Sequence, residues 1–290
     1  MTDPLLVTAA LPVDPKPTDE EMDLFGVTHR GKVRAENQDH FLIATLHRQL
    51  VIHGSSLRGV PFPLRGERLA TLAVVADGVG GAAAGAEASH LAVETIARYM
   101  HTTMACFQTA NPAHEEAFLE TLRAAALEAH AAVLQLGAER PAYRGMATTL
   151  TLGIGSWPRI YVVQVGDSRC YYYRDGVLSQ VTEDQTVAQQ LVDTGVLRRS
   201  QAVRSPLSHV LASAIGGPKA EPVVTRMLMR RDAVLLMCSD GLTKHVRDAE
   251  IADHLRTLPS AEQACRDLLA LALERGGSDN ITILIGRAHS

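Results

Sequence analysis

This sequence is poor in several features, and each shortage excludes a class of function. Its four cysteines (Cys106, Cys170, Cys238 and Cys265) are scattered, with no Cys-x-x-Cys. They read as core thiols of a reducing compartment, neither a zinc site nor a disulfide framework. Aromatic residues make up only 4% of the chain and the net charge is −4. With no basic block and no aromatic-basic interleaving, nothing points to nucleic acid. No uninterrupted apolar run reaches ~18 residues, so no membrane span is expected. The N-terminus lacks the basic and apolar regions of a signal peptide, which makes the cytoplasm the expected compartment. Several catalytic signatures are missing as well. There is no Gly-x-x-x-x-Gly-Lys-Ser/Thr, no Gly-x-Ser-x-Gly and no His-Glu-x-x-His, against P-loop nucleotidases, α/β-hydrolases and zinc peptidases. No cysteine has an arginine six positions later, and no Asp-x-Asp-x-Thr/Val occurs. A covalent phosphocysteine or aspartyl-phosphate route therefore has no support.

What is present is a repeated syntax of apolar strand and aspartate. The run from Leu69 to Ala76 stops at Asp77-Gly78 and a glycine-rich stretch ending at Gly85. Val234 to Cys238 leads to Asp240-Gly241, Ile160 to Val165 leads to Gly166-Asp167, and Asp279-Asn280 precedes Ile281 to Ile285 in reversed order. One Asp-Gly after a strand is ordinarily a turn, because both residues suit tight-turn backbone angles. Four aspartates at the tips of four apolar strands suggest one shared acidic site. Carboxylates brought together repel unless a cation or proton sits among them. Hard oxygen ligands of this kind select magnesium, manganese or calcium over zinc.

The chain has 290 residues and is 46% hydrophobic, ample for one large domain, or for a domain with a tail. Residues 1–21 carry four prolines and end in an acidic run, so a flexible leader is expected, followed by one domain over 22–290. A strand near 23–29, a polar turn-like stretch and an apolar run at 41–44 come next, then a loop-rich insertion at about 47–68. Apolar spacing predicts a helix over 86–104, and Asn111-Pro112 can start a second, running to about 136. Residues 148–181 are β-rich, with Arg174-Asp175-Gly176 as a hairpin turn. The Tyr171-Tyr172-Tyr173 run reads as a half-buried strand. Residues 184–194 look helical, ended by Gly195, and helices at 248–256 and 261–274 precede the last strand. Strands in runs with helices grouped between them indicate a layered sandwich better than alternating βαβ units.

Seven short motifs then fall in order: Arg34-x-x-Asn37-Gln38-Asp39, Ala76-Asp77-Gly78-Val79-Gly80-Gly81, Gly145-Met-Ala-Thr-Thr149, Gly166-Asp167-Ser168-Arg169, Thr182-Glu-Asp184, Cys238-Ser-Asp240-Gly241-Leu242 and Asp279-Asn280. Each is weak alone; in this order they are specific. Over about 23–287 the chain resembles the PP2C (PPM) family of metal-dependent serine/threonine protein phosphatases, of the bacterial type. The resemblance implies an α+β fold, a four-layer α-β-β-α sandwich of two antiparallel sheets flanked by helix pairs, with Mn²⁺ or Mg²⁺ in a cleft at the sheet ends. It implies that Asp77 bridges two ions, that Asp240 and Asp279 complete the first, and that the Gly78 carbonyl binds the second. Asp39 would order the metal-bound waters, Asp167 with Asp240 would form a third, weaker site, and Arg34 would hold the substrate phosphate. The implied reaction is direct in-line attack on phosphorus by a water shared between the ions, deprotonated near neutral pH. Asp39 and Asp184 also admit a simpler reading as turn or capping residues, and Asp184 is assigned to it.

The chain departs from the family pattern in three places. Gln38 stands where a glutamate is common, Val79 where some relatives place a histidine general acid, and Gln185 where a histidine commonly follows the equivalent of Asp184. None removes a metal carboxylate. Residues 185–217 match the position of the family's flap, where Arg198, Arg199 and Arg204 are either substrate contacts or solvated charges. The implied partners are phosphorylated proteins and a cognate Ser/Thr kinase, with a monomer expected. A phosphoprotein-binding module without turnover and a phosphatase dedicated to one regulator are the competing readings.

Overall fold

The computed structural model describes residues 14–50, 64–103, 115–202 and 205–288. Eleven strands lie in two sheets: β1 (Met22–His29), β2 (Asp39–Leu50), β3 (Leu64–Val79), β4 (Ala147–Thr148), β5 (Leu150–Ser156), β6 (Arg159–Val165), β7 (Arg169–Arg174), β8 (Val177–Gln180), β9 (Val223–Leu228), β10 (Val234–Cys238) and β11 (Ile281–Ala288). One sheet has the order β1-β11-β10-β7-β8 and the other β2-β3-β5-β6-β9, with β4 pairing to the end of β3. All of these pairings are antiparallel. Helices α1 (Ala82–Thr102) and α2 (Glu115–Glu139) cover the second sheet. After the short α3 (Val187–Asp193), α4 (Arg199–Ala202) and α5 (Asp240–Thr243), helices α6 (Asp248–Arg256) and α7 (Ala261–Glu274) cover the first. This is the four-layer α-β-β-α sandwich.

The layering explains why the strands read as unbroken apolar runs although the sheets are antiparallel. Successive side chains of a strand point to opposite faces, and here both faces are buried. On β3, Ala70, Leu72 and Val74 pack beneath α1 and α2, whereas Ala73 and Val75 face the other sheet. On β10, Val234, Leu236 and Cys238 pack beneath α6 and α7, and Leu235 and Met237 face inward. The tyrosine run divides the same way, with Tyr171 and Tyr173 under the helices and Tyr172 between the sheets. Each fully buried leucine or valine contributes about 1.5–3 kcal/mol.

Several boundaries differ from expectation. Helix α1 starts at Ala82, inside the glycine-rich stretch read as a turn. A side chain on Gly78 would place its first carbon 2.2 Å from the Gly85 carbonyl oxygen, so these glycines serve a close crossing of α1 over the end of β3. The insertion at 47–68 is strand at both flanks, with β2 continuing to Leu50 and β3 starting at Leu64. Its centre, the Asn111-Pro112 helix start, Cys106 and Arg204 lie outside the described residues. Residues 14–21, the last part of the expected leader, are tied to the far end of the sandwich. Trp157 Nε1 donates to the Asp14 carbonyl at 2.8 Å, and Arg68 donates to Asp19 at 3.0 Å and to the Pro17 carbonyl at 2.7 Å. Among the described residues no helix is long and apolar enough to cross a membrane.

Candidate active site

The ends of both sheets open on a cleft of about 1050 Å³. Each acidic residue reaches it by a separate local device. Asp77 lies near the end of β3, directly across from Asp39 on β2. Its backbone is pinned: its N–H donates to Thr149 Oγ1 at 3.0 Å, and its carbonyl accepts from the Thr149 N–H and from Thr148 Oγ1, each at 2.9 Å. Asp167 follows Gly166, whose φ of 103° takes the chain sharply out of β6. Asp240 opens α5 directly after β10. A side chain on Gly241 would put its first carbon 1.9 Å from the Asn280 carbonyl oxygen. Glycine there lets α5 press against the approach to β11, which sets Asp240 beside Asp279.

The loop carrying Arg34 is fastened by Asn280. Its amide nitrogen donates to the Arg30 and Glu36 carbonyls, and its oxygen accepts from the Gln38 N–H, all at 2.9 Å. Arg34 then reaches Asp279 as a fork, Nε to Oδ1 at 2.7 Å and NH2 to Oδ2 at 2.9 Å. Lys244, absent from the expected site, meets Asp240 Oδ2 and Asp279 Oδ2, both at 2.6 Å. The only sequence signal for it is its position four residues after Asp240, one helical turn on.

The electrostatics show a site short of positive charge at its floor. Asp39 is 3% exposed; its Oδ2 accepts from Ser239 and Thr282 hydroxyls at 2.7 Å each, and its Oδ1 has no hydrogen-bond partner. Burial pushes the Asp39 carboxyl up to about 7, against those two hydrogen bonds and with help from the charges of Asp240 and Asp279. Burial likewise lifts Asp167 to about 7, with Asp240 and Asp184 adding to it. Asp77 is raised well above the ordinary range by burial and then by the charges of Asp39, Asp240, Asp167 and Asp279. Asp279 goes the other way: burial opposes it, but Arg34 and Lys244 hold its carboxyl below the usual value. Among the described residues no three acidic, histidine or cysteine side chains converge tightly enough to hold an ion by themselves. Asp240 and Asp279 are turned toward Lys244 and Arg34, yet Asp240 Oδ1, like Asp39 Oδ1, is buried without a partner. Orphaned carboxylate oxygens in a cluster this repulsive fit hard divalent cations.

Two residues are resolved differently from expectation. Asp184 neither caps nor turns; it holds Arg169 as a fork at 2.8 and 2.7 Å, while Thr186 caps α3. Gln185 has a definite task, since its Oε1 accepts from the Gly166 N–H at 2.9 Å and its Nε2 donates to the Glu221 carbonyl at 3.0 Å. It clasps the bend that aims Asp167. Gln38 and Val79 both line the cleft, with Val79 43% exposed. The flap-like segment reaches the cleft through His209, Val210 and Leu211 and is anchored by Thr186 pairing with Leu211 and Thr148 with Ile215.

Comparison with known sequences decides the family: the profile described as Protein phosphatase 2C matches residues 64–279. This chain belongs to the protein phosphatase 2C family. The serine/threonine protein phosphatase PstP of Mycobacterium tuberculosis is 35% identical over 216 residues, which is 74% of this chain and 40% of that longer protein. The serine/threonine phosphatase stp of Listeria welshimeri is 32% identical over the same share of this chain and 83% of its own. Among solved structures, M. tuberculosis PstP/Ppp superposes with a TM-score of 0.74 at 30% identity, over 93% of this chain and 99% of the other. The catalytic domain of PstP in complex with two manganese ions superposes with a TM-score of 0.71 at 29% identity, over 93% and 99%.

Proposed function

We propose that this protein is a metal-dependent protein phosphatase that hydrolyses phosphoserine and phosphothreonine on proteins. The observation that carries the reading is the convergence of Asp77, Asp167, Asp240 and Asp279 on one cleft, with Asp39 buried across the strand pair from Asp77 and an arginine fork at the rim. Asp77, Asp240 and Asp279 with the Gly78 carbonyl would hold two Mn²⁺ or Mg²⁺ ions, and Asp167 with Asp240 a third, weaker one. When bound, such ions supply Lewis-acid stabilisation of the phosphoryl oxygens and an activated water. The chain's own groups do the rest. Asp39, held through Oδ2 by Ser239 and Thr282, keeps an Oδ1 without a hydrogen-bond partner that would accept from the attacking water. Arg34 is 53% exposed and already grips one oxyanion, so the same planar fork would suit a phosphate dianion were Asp279 held by metal instead. Water's oxygen bonds to phosphorus, the bond to the serine or threonine oxygen breaks, and water's protons end on that alkoxide and on phosphate.

A cognate Ser/Thr kinase, a monomeric state and a cytoplasmic location complete the reading, as does one domain, to which residues 14–21 are fastened, with a flap at about 185–217. The test is hydrolysis of p-nitrophenyl phosphate and of a phosphothreonine peptide in Mn²⁺, in Mg²⁺ and in excess EDTA, beside Asp240→Asn. Activity that requires metal and collapses in the variant supports the reading. A folded protein inactive in every metal overturns it and leaves the phosphoprotein-binding module.

A further inference from the structure

We infer that Lys244 is a built-in counter-cation that competes with the divalent ion for Asp240 and Asp279. The inference rests on the proposed metal reading and adds a control on it. Three observations carry it. First, the ammonium is centred on the pair, 2.6 Å from Asp240 Oδ2 and 2.6 Å from Asp279 Oδ2. Second, the placement is a consequence of the backbone. Lys244 follows Asp240 by one helical turn, and its N–H donates to the Asp240 carbonyl at 2.9 Å. The Gly241–Asn280 contact at the same time draws Asp279 alongside. Third, the lysine stands at an opening: its side chain is 24% exposed and lines the open cleft, and a long flexible stem of this kind can carry its charged head into water.

The consequence is a competition. Two adjacent carboxylates facing several others would destabilise the protein in the absence of metal, and the lysine neutralises them. A divalent ion that takes the same oxygens must expel the ammonium, so part of its binding free energy is spent on that exchange. Lys244 therefore steadies the protein without metal and weakens its affinity for the ion. Arg34 differs in that its fork holds Asp279 from the rim and leaves Asp240 untouched.

The test is calorimetric titration with MnCl₂ of EDTA-stripped wild type, Lys244→Met and Lys244→Arg, with Asp240→Asn as the control. Melting curves of each in EDTA and in saturating Mn²⁺ accompany it. Two charge-assisted hydrogen bonds are removed in Lys244→Met, so Mn²⁺ should bind about tenfold tighter or more. Lys244→Arg keeps the charge and should stay near wild type. In EDTA, Lys244→Met should melt lower than wild type, and the difference should shrink in Mn²⁺. If Lys244→Met does not fold, Lys244→Gln takes the same measurements. Equal or weaker Mn²⁺ binding by a folded Lys244→Met overturns the inference. Should wild type bind Mn²⁺ and Asp240→Asn weaken it while Lys244→Met fails to tighten it, only the role of Lys244 falls. Binding absent from wild type and every variant removes the metal reading with it.

Discussion

The two ends of this sandwich are built from the same strands and have opposite chemistry. At one end β3, β6, β10 and β11 deliver Asp77, Asp167, Asp240 and Asp279 to an open cleft, and β2 sets the buried Asp39 opposite Asp77. At the other the same strands enclose an apolar cavity of about 110 Å³, lined by Gly153, Gly155, Trp157, Met229, Leu235 and Gly286 among others. The cleft end concentrates charge that opposes folding until a cation is supplied. The far end is merely underfilled, and the cost of an underfilled core is lost dispersion contact. Stability at the first end is thus conditional on ligands and pH, and around the cavity at the second mainly on packing.

Changes of side chain should separate these two regimes. The largest effect is expected from Asp77→Asn, which should lower metal-dependent phosphatase activity by about a hundred- to a thousandfold. It should raise the melting temperature in EDTA, because one carboxyl leaves a cluster whose members repel when ionised; a lower melting temperature would show that the cluster is not repulsive. Next comes Gly241→Ala, whose new carbon would meet the Asn280 carbonyl at 1.9 Å. Backbone has to move there, so denaturant unfolding should show a loss of about 3 kcal/mol, at the upper end for an overpacked site.

The pH dependence that the acidic end contributes is smaller. Asp39 and Asp167 are pushed up to about 7 from an ordinary 3.8. Between those values the folded chain keeps protons that the unfolded chain has released, so stability falls with rising pH. The contribution is fully present below about pH 4 and gone above about pH 7. Unfolding in EDTA across that window should show the decline, Asp39→Asn should flatten it, and saturating Mn²⁺ should abolish it. The smallest effect is at the far end. Gly155→Ala places a methyl 3.7 Å from Ile160 Cγ1, facing the cavity. It should add about 0.5–1 kcal/mol and leave activity unchanged, since it replaces a flexible residue within a strand.

Much of this was legible in the linear chain. An apolar run that ends at aspartate is a strong signal because burial and strand polarity are both local properties, and Asp77, Asp167, Asp240 and Asp279 all carry it. Helices α6 and α7 agree with expectation to the residue, since their apolar spacing is regular and Ser260 caps α7. The glycine-rich stretch after Asp77 misled at the residue level. A glycine needed for close approach and one needed for a turn look the same until the partner, here Gly85 against Gly78, is in view.

The sequence by itself therefore determined the layering, the strand ends and the aspartates that stand at them, because these follow from hydropathy period and side-chain chemistry. Only the tertiary structure decided which charges meet. Lys244 and Asp279 are 35 positions apart and Arg34 and Asp279 are 245 apart. Asn280 joins two loops at opposite ends of the chain, and the Asp39 carboxyl is held by hydroxyls 200 and 243 positions away. No local pattern encodes such pairings. They arise because packing two sheets face to face brings remote strand ends to one place, where the energy of each charge depends on its neighbours.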